Sequence, residues 1–191
     1  QILRETGYQP EPDREGTISD LRTKGRLDLI VQTEEEMASG RAQKAADSAP
    51  DVLDAFPVWE LIRVKSPEGV ARNWHERWRI AAQKSGDEAA AEALQRHGRM
   101  AARKDSSIWS ELGNSDTWDD ALDTDHPPFA FRSGMGIKNI NRATAMQLGL
   151  IQRGDTVRAP GSGGREAAPS ADGIDSSIRA ALVAASRGGR S

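Results

Sequence analysis

The chain has 191 residues, with 26 basic and 29 acidic side chains, no cysteine, 37% hydrophobic residues and a mean hydropathy of -0.65. That length supports one ordinary packed core with appendages rather than two full domains, and the polar balance implies that part of the chain has little to bury. The missing cysteines exclude disulfides and thiolate zinc centres, a net charge of -3 supplies no global field for nucleic acid or anionic membrane, and no run approaches the roughly 20 apolar residues of a membrane span.

The sequence opens on Gln1 without a signal-peptide pattern, which fits an excised or processed piece. Residues 1–55 hold 7 basic and 12 acidic side chains, residues 56–151 hold 13 of each, and residues 152–191 hold 6 and 4. All five tryptophans and all three phenylalanines lie between Phe56 and Ile151, so the aromatic area that builds a core is concentrated there. Three parts are therefore expected: an N-terminal helical segment (1–55), an α+β core (56–151) and a flexible tail (152–191).

Gln1 to Gly16, with Pro10 and Pro12 among charges, reads as irregular. Leu27, Ile30, Val31 and Met37 recur at helical spacing and predict a helix from about Arg26 to Ala46, with Glu34 to Glu36 as a solvated face. Val58 to Lys65 alternates with β-branched and aromatic residues between Pro57 and Pro67, a strand. Ser66-Pro67 looks like a helix start, carrying Trp74 and Trp78 on one face. Ser85-Gly-Asp-Glu88 has the capping-box form ahead of an alanine-rich helix that Gly98 closes. Arg99 to Lys104 reads as a short strand, Ser107 to Leu112 as a short helix, Phe129 to Arg132 as a strand after Pro127-Pro128, and Asn141 to Leu148 as a last helix ended by Gly149. Beyond Ile151, two Gly/Ser/Pro stretches are linker-like, and Ile178, Leu182 and Ala185 outline a short docking helix over 175–186. The fold class is α+β: a small antiparallel sheet packed with short helices. Its three strands are those at Val58, Arg99 and Phe129, with one face packed on the Trp74/Trp78 helix and the other offered to a partner.

The chemistry-bearing residues do not assemble into a reactive pattern. His75, His97 and His126 pair with no acid or histidine at a ligand spacing, and Asp116 to Asp125 lacks the glycine and distal glutamate of a calcium loop. Glu34-x-Glu36 fits a helical face better than a transferase loop. Gly161-Ser-Gly-Gly164 lacks the Lys-Ser/Thr of a phosphate loop, and Arg153-Gly154-Asp155 is treated as chance. No catalytic residue, metal or cofactor is expected. The candidate partner-binding residues are Arg99, Arg103, Lys104 and Arg132; the candidate core residues are Trp59, Trp74, Trp78, Trp109, Pro127, Pro128, Phe129 and Phe131.

Four motifs in order carry a resemblance. They are Arg26, Ile30, Thr33 and Glu34 on the first helix; Trp59 and Val64 in the first strand; Gly98, Asp105 and Trp109 in a hairpin-like stretch; and His126-Pro127-Pro128-Phe129-Ala130-Phe131-Arg132. Over residues 20–151 this succession resembles the C-terminal part of phage Mu-type minor head (head-morphogenesis) proteins. It departs from them in having no cysteine-containing strand after the proline pair and in the helical insertion from Ser85 to His97. The resemblance implies a non-enzymatic minor capsid protein of a phage or prophage. Such a protein would belong to a multi-subunit assembly, bind portal or major capsid protein during head assembly and DNA packaging, and have packaged DNA as a further candidate partner. It would sit in the virion, or in the host cytoplasm while the head is built, and have no membrane partner. Two other readings stay open: the delivery module of a phage-derived polymorphic toxin or effector, and an unrelated nucleic-acid-binding module.

Overall fold

The computed structural model describes residues 24–66 and 72–161; the expectations for residues 1–23, Pro67 and the 175–186 helix lie outside them. In chain order the elements are α1 (Lys24–Asp47), α2 (Pro50–Ala55), β1 (Val58–Arg63), α3 (Trp74–Ser85), α4 (Glu88–His97), β2 (Ala101–Arg103), α5 (Ile108–Leu112), β3 (Met135–Ile140) and α6 (Arg142–Gln147). The chain divides into two units, residues 33–166 and the two ends, and the sheet and its packed helices belong to the first.

The fold is α+β. Its three-stranded antiparallel sheet has the order β2-β1-β3, with Trp59 opposite Ala102 on one side and Asn139 on the other. Alternation along β1 sends Trp59 and Leu61 into one cluster and Val58 into another. In the first, Trp109 is the hub. Its ring meets Trp59 edge-to-face at 5.5 Å and Trp78 at 5.4 Å, stacks on Phe129 at 6.1 Å, and donates Nε1–H to the Arg103 carbonyl at 2.8 Å. Trp74, Arg77, Trp78, Ala81 and Ala82 form the buried stripe of α3, the i, i+3, i+4, i+7, i+8 pattern of a helix laid on a core. In the second cluster Val58, Ala101 and Ile140 of the sheet pack with Ala145 of α6 and with Leu148, Leu150, Ile151 and Val157.

Several expectations need correction. Phe129 to Arg132 is not a strand: Ala130 makes one bridge to Ala121, and the chain then turns through Arg132 at φ 51°. The third strand is Met135–Ile140 instead. Phe131, expected in the core, is 41% exposed because that turn carries it outward. On the sheet face opposite the tryptophans, expected to be offered to a partner, the second cluster covers the Val58 end, and Glu60, Arg99 and Lys138 form an ion cluster at its middle. Helix α3 starts at Trp74 with Asn73 as cap, its side chain accepting from the Glu76 N–H. Ser85 ends α3 rather than starting α4: Gly86 turns at φ 68°, and Asp87 caps α4 by accepting from Ala90 N–H at 2.9 Å. Residues 152–157 are no loose tail, as Val157 is buried and the Asp155 carbonyl accepts from Arg142.

The packed unit also reaches back into α1. Gln43 donates to the Ile137 carbonyl at 3.3 Å on the outer side of β3, and Asp47 accepts from Asn139 there, so α1 shields an edge strand whose backbone groups would otherwise invite pairing. One turn earlier, Gly40 lies against the cis Pro127-Pro128 turn so closely that a Cβ would come within 1.8 Å of the Pro127 carbonyl oxygen. Lys44 closes this contact with an ion pair to Asp125 at 2.8 Å.

Candidate functional site

The four cations singled out from sequence do not form a face. Arg99 is held by Glu60 through two hydrogen bonds of 2.7 and 2.5 Å, and Lys138 meets the same carboxylate at 2.9 Å. Burial pushes the Glu60 carboxyl up, yet the hydrogen bonds and charges of Arg99 and Lys138 outweigh it and leave the pKa below the ordinary value. Arg103 is likewise bidentate to Asp105, whose other contact is the Arg158 backbone N–H. Arg132 is half-buried in the turn before β3, away from β2.

Lys104 is the clearest correction. It is fully buried, its ammonium donating to the Asp47 carbonyl at 3.2 Å, 3.8 Å from the Asp47 carboxylate and 5.7 Å over the Trp59 ring. Burial pulls its pKa down, and the nearby Asp47 only partly offsets that. Asp47 meanwhile accepts from Trp59 Nε1 at 2.8 Å and Asn139 Nδ2 at 2.6 Å. Lys104 therefore ties α1 to the sheet and is closed off from solvent. Of the expected core residues, Trp59, Trp74, Trp78, Trp109, Pro127, Pro128 and Phe129 are all buried.

The acidic run resolves into separate structural duties. Asp120 receives Arg72 and Arg77, Asp123 accepts from Ser115 N–H and Oγ–H at 2.9 Å each, and Asp125 pairs with Lys44. Among the described residues no cluster of histidines and carboxylates has metal-binding geometry. His126 is buried with Nδ1 2.9 Å from the Pro127 carbonyl; His75 and His97 are exposed.

Sequence reading missed Arg72 and Arg77. Arg77 is buried, donates twice to the Leu112 carbonyl, and lies 4.9 Å from the Trp74 ring centre and 4.7 Å from that of Trp118. Burial lowers its pKa despite Asp120, but the guanidinium stays charged at any neutral pH. The available signal was positional: Arg77 stands at the i+3 place of a stripe otherwise made of Trp and Ala, where a charge must find partners.

Two clefts open beside this cation–aromatic assembly. The first, about 440 Å³, runs between the start of α3 and Thr117 to Asp120, with Trp118 in its wall and cations and carboxylates both present. The second, about 310 Å³, is lined by Leu61, Ile62, Trp74, Met100 and Met135, with Arg63, Arg72 and His75 among its polar lining residues and, among the described residues, no carboxylate. Leu61, Trp74 and Met135 are its most deeply buried walls, at 2%, 4% and 5% exposure. Compared with known proteins, the chain matches no protein family, no curated protein and no solved structure.

Proposed function

We propose that this chain is a non-enzymatic assembly module, a minor capsid protein of phage minor-head type that binds portal or major capsid subunits while the head is built. The observation that supports this reading most is how the motif residues meet. Trp59, Trp109 and the Pro127-Pro128-Phe129 turn are far apart in sequence, yet Trp59 and Phe129 both pack on Trp109, at 5.5 and 6.1 Å. Asp105, from the third motif, fixes Arg103, whose carbonyl in turn receives the Trp109 indole N–H. The motif thus spells a framework rather than a reaction centre. The strongly held carboxylates, Glu60, Asp105 and Asp120, are each engaged by arginine, a use of charge that fastens elements together and leaves none of these three poised to take a proton.

The test is co-expression with the portal and major capsid proteins encoded in the same genomic neighbourhood. Co-sedimentation of the chain with either, in a fixed ratio that persists at high salt, is the expected result. The reading fails if neither protein is encoded there or if neither carries the chain into the assembled fraction.

A further inference from the structure

We propose that the cleft at the open end of β1 is a docking site for an extended peptide segment of a partner protein in which an apolar residue is flanked by acidic ones. The inference rests on the assembly reading and deepens it by naming the kind of segment bound. Three observations meet at this place.

The first is an incomplete sheet. Strand β2 spans only Ala101–Arg103, and the last hydrogen bond joining that side of β1 runs from Leu61 N–H to the Met100 carbonyl at 2.8 Å. Antiparallel pairing alternates, and Val64 N–H bonds toward β3 through the Gly134 carbonyl, so the N–H and C=O of Arg63 point to the vacated side. Among the described residues nothing pairs with them. A strand with unpaired main-chain groups beside a pocket is the arrangement that peptide recognition by strand addition uses.

The second is the pocket itself. At about 310 Å³ it is at the small end of ligand pockets, sized for one anchoring side chain rather than a folded surface. Its floor of Leu61, Trp74, Met100 and Met135 is apolar, and two methionines give it the adaptability to receive more than one anchor shape.

The third is charge. Among the described residues Arg63 donates to the Ser133 carbonyl and has no carboxylate partner. Arg72 and Arg77 share the single carboxylate of Asp120, which leaves that trio one positive charge in excess. Among the described residues no acid lines the cleft to offset either, so its rim complements carboxylates beside the anchor. A nucleic-acid backbone would use the cations but leave the apolar floor and the open strand edge unused, which is why a peptide is the favoured occupant.

The experiment titrates the chain into a fluorescein-labelled heptapeptide alternating Glu and Leu (Glu at both ends), read by fluorescence anisotropy. Comparison probes are the same peptide with every Leu replaced by Ala, the Lys/Leu peptide, and a fluorescein-labelled 20-base-pair DNA duplex. The Glu/Leu peptide should bind with micromolar affinity. Removing its leucines, or converting Arg63→Glu, should each weaken binding at least about tenfold, the scale of one lost anchor or charge pair. Met100→Trp, which fills the floor, should do the same while circular dichroism and melting stay near the parent. No saturation by about 1 mM, a limit of weak association, or a Leu-to-Ala peptide, Lys/Leu peptide or DNA duplex that binds as well as the Glu/Leu peptide, overturns the proposal. This outcome is independent of portal or capsid co-sedimentation: a bound peptide with no capsid partner would retire the capsid reading alone, and the converse would retire the cleft alone.

Discussion

Replacing Trp109 with alanine tests the architecture at its most connected point. Trp109 is 1% exposed, touches Trp59, Trp78 and Phe129, and spends its indole N–H on the Arg103 carbonyl at the end of β2. Truncating a buried tryptophan removes its transfer free energy and leaves a cavity among rings that cannot all collapse into it, about 3–5 kcal/mol. The orphaned Arg103 carbonyl adds roughly 1 kcal/mol. Trp109→Phe retains most of the ring area but not the donor, so its cost should be nearer 1–3 kcal/mol. In thermal unfolding followed by far-ultraviolet circular dichroism, the alanine variant should melt roughly 10–20 °C below the parent and the phenylalanine variant should lie between. A Trp109→Ala midpoint within about 3 °C of the parent, less than 1 kcal/mol at this chain length, would mean that the four rings do not form one core and that the fold described is wrong there.

Three further outcomes rest on particular contacts. Gly40→Ala, which in an exposed helix would stabilise by about 1 kcal/mol, should instead destabilise by about 1–3 kcal/mol, because the new methyl meets the Pro127 carbonyl; a higher melting temperature refutes the close approach of α1 to that turn. Lys104→Ala should lower stability by about 2–3 kcal/mol in urea unfolding, whereas an unchanged midpoint with weakened capsid or portal association would restore Lys104 as a surface residue. Burial pulls the His126 pKa below its ordinary value, and Lys44 and Arg41 add to this against the opposing Pro127 carbonyl and Asp125. Its neutral form therefore contributes stability that is present above about pH 6.5 and lost as pH falls through the lowered folded-state value. Melting temperatures at pH 7.5 and pH 5 should fall less for His126→Gln than for the parent, and an equal fall sinks the assignment.

How much of this was legible in the sequence depends on whether a residue's role was set by its neighbours in the chain or by groups far along it. Strand β1 was readable because alternation and bounding prolines are local, and the Gly98 cap and the Asn141 helix start were readable for the same reason. Phe129 to Arg132 alternates just as convincingly, yet it turns, and the true edge strand was hidden by Gly136, which lowers strand propensity. That glycine answers to a distant residue: a Cβ there would come within 2.9 Å of the Val64 side chain across the ladder. Lys104 could have been placed by carrying the period of two one step further, since it shares a face with Ala102 and hence with Trp59; its run of basic neighbours suggested a surface instead. Arg77 was indicated by its position in an apolar stripe, but Asp120, 43 residues away, was not. The cleft at Arg63 was beyond sequence reading altogether, because it exists where β2 is too short to pair the whole of β1. If that edge docks a partner segment as proposed, lengthening β2 to cover Arg63 should close it without disturbing the tryptophan core, and loss of Glu/Leu peptide binding with an unchanged melting temperature is the result that separates edge from core.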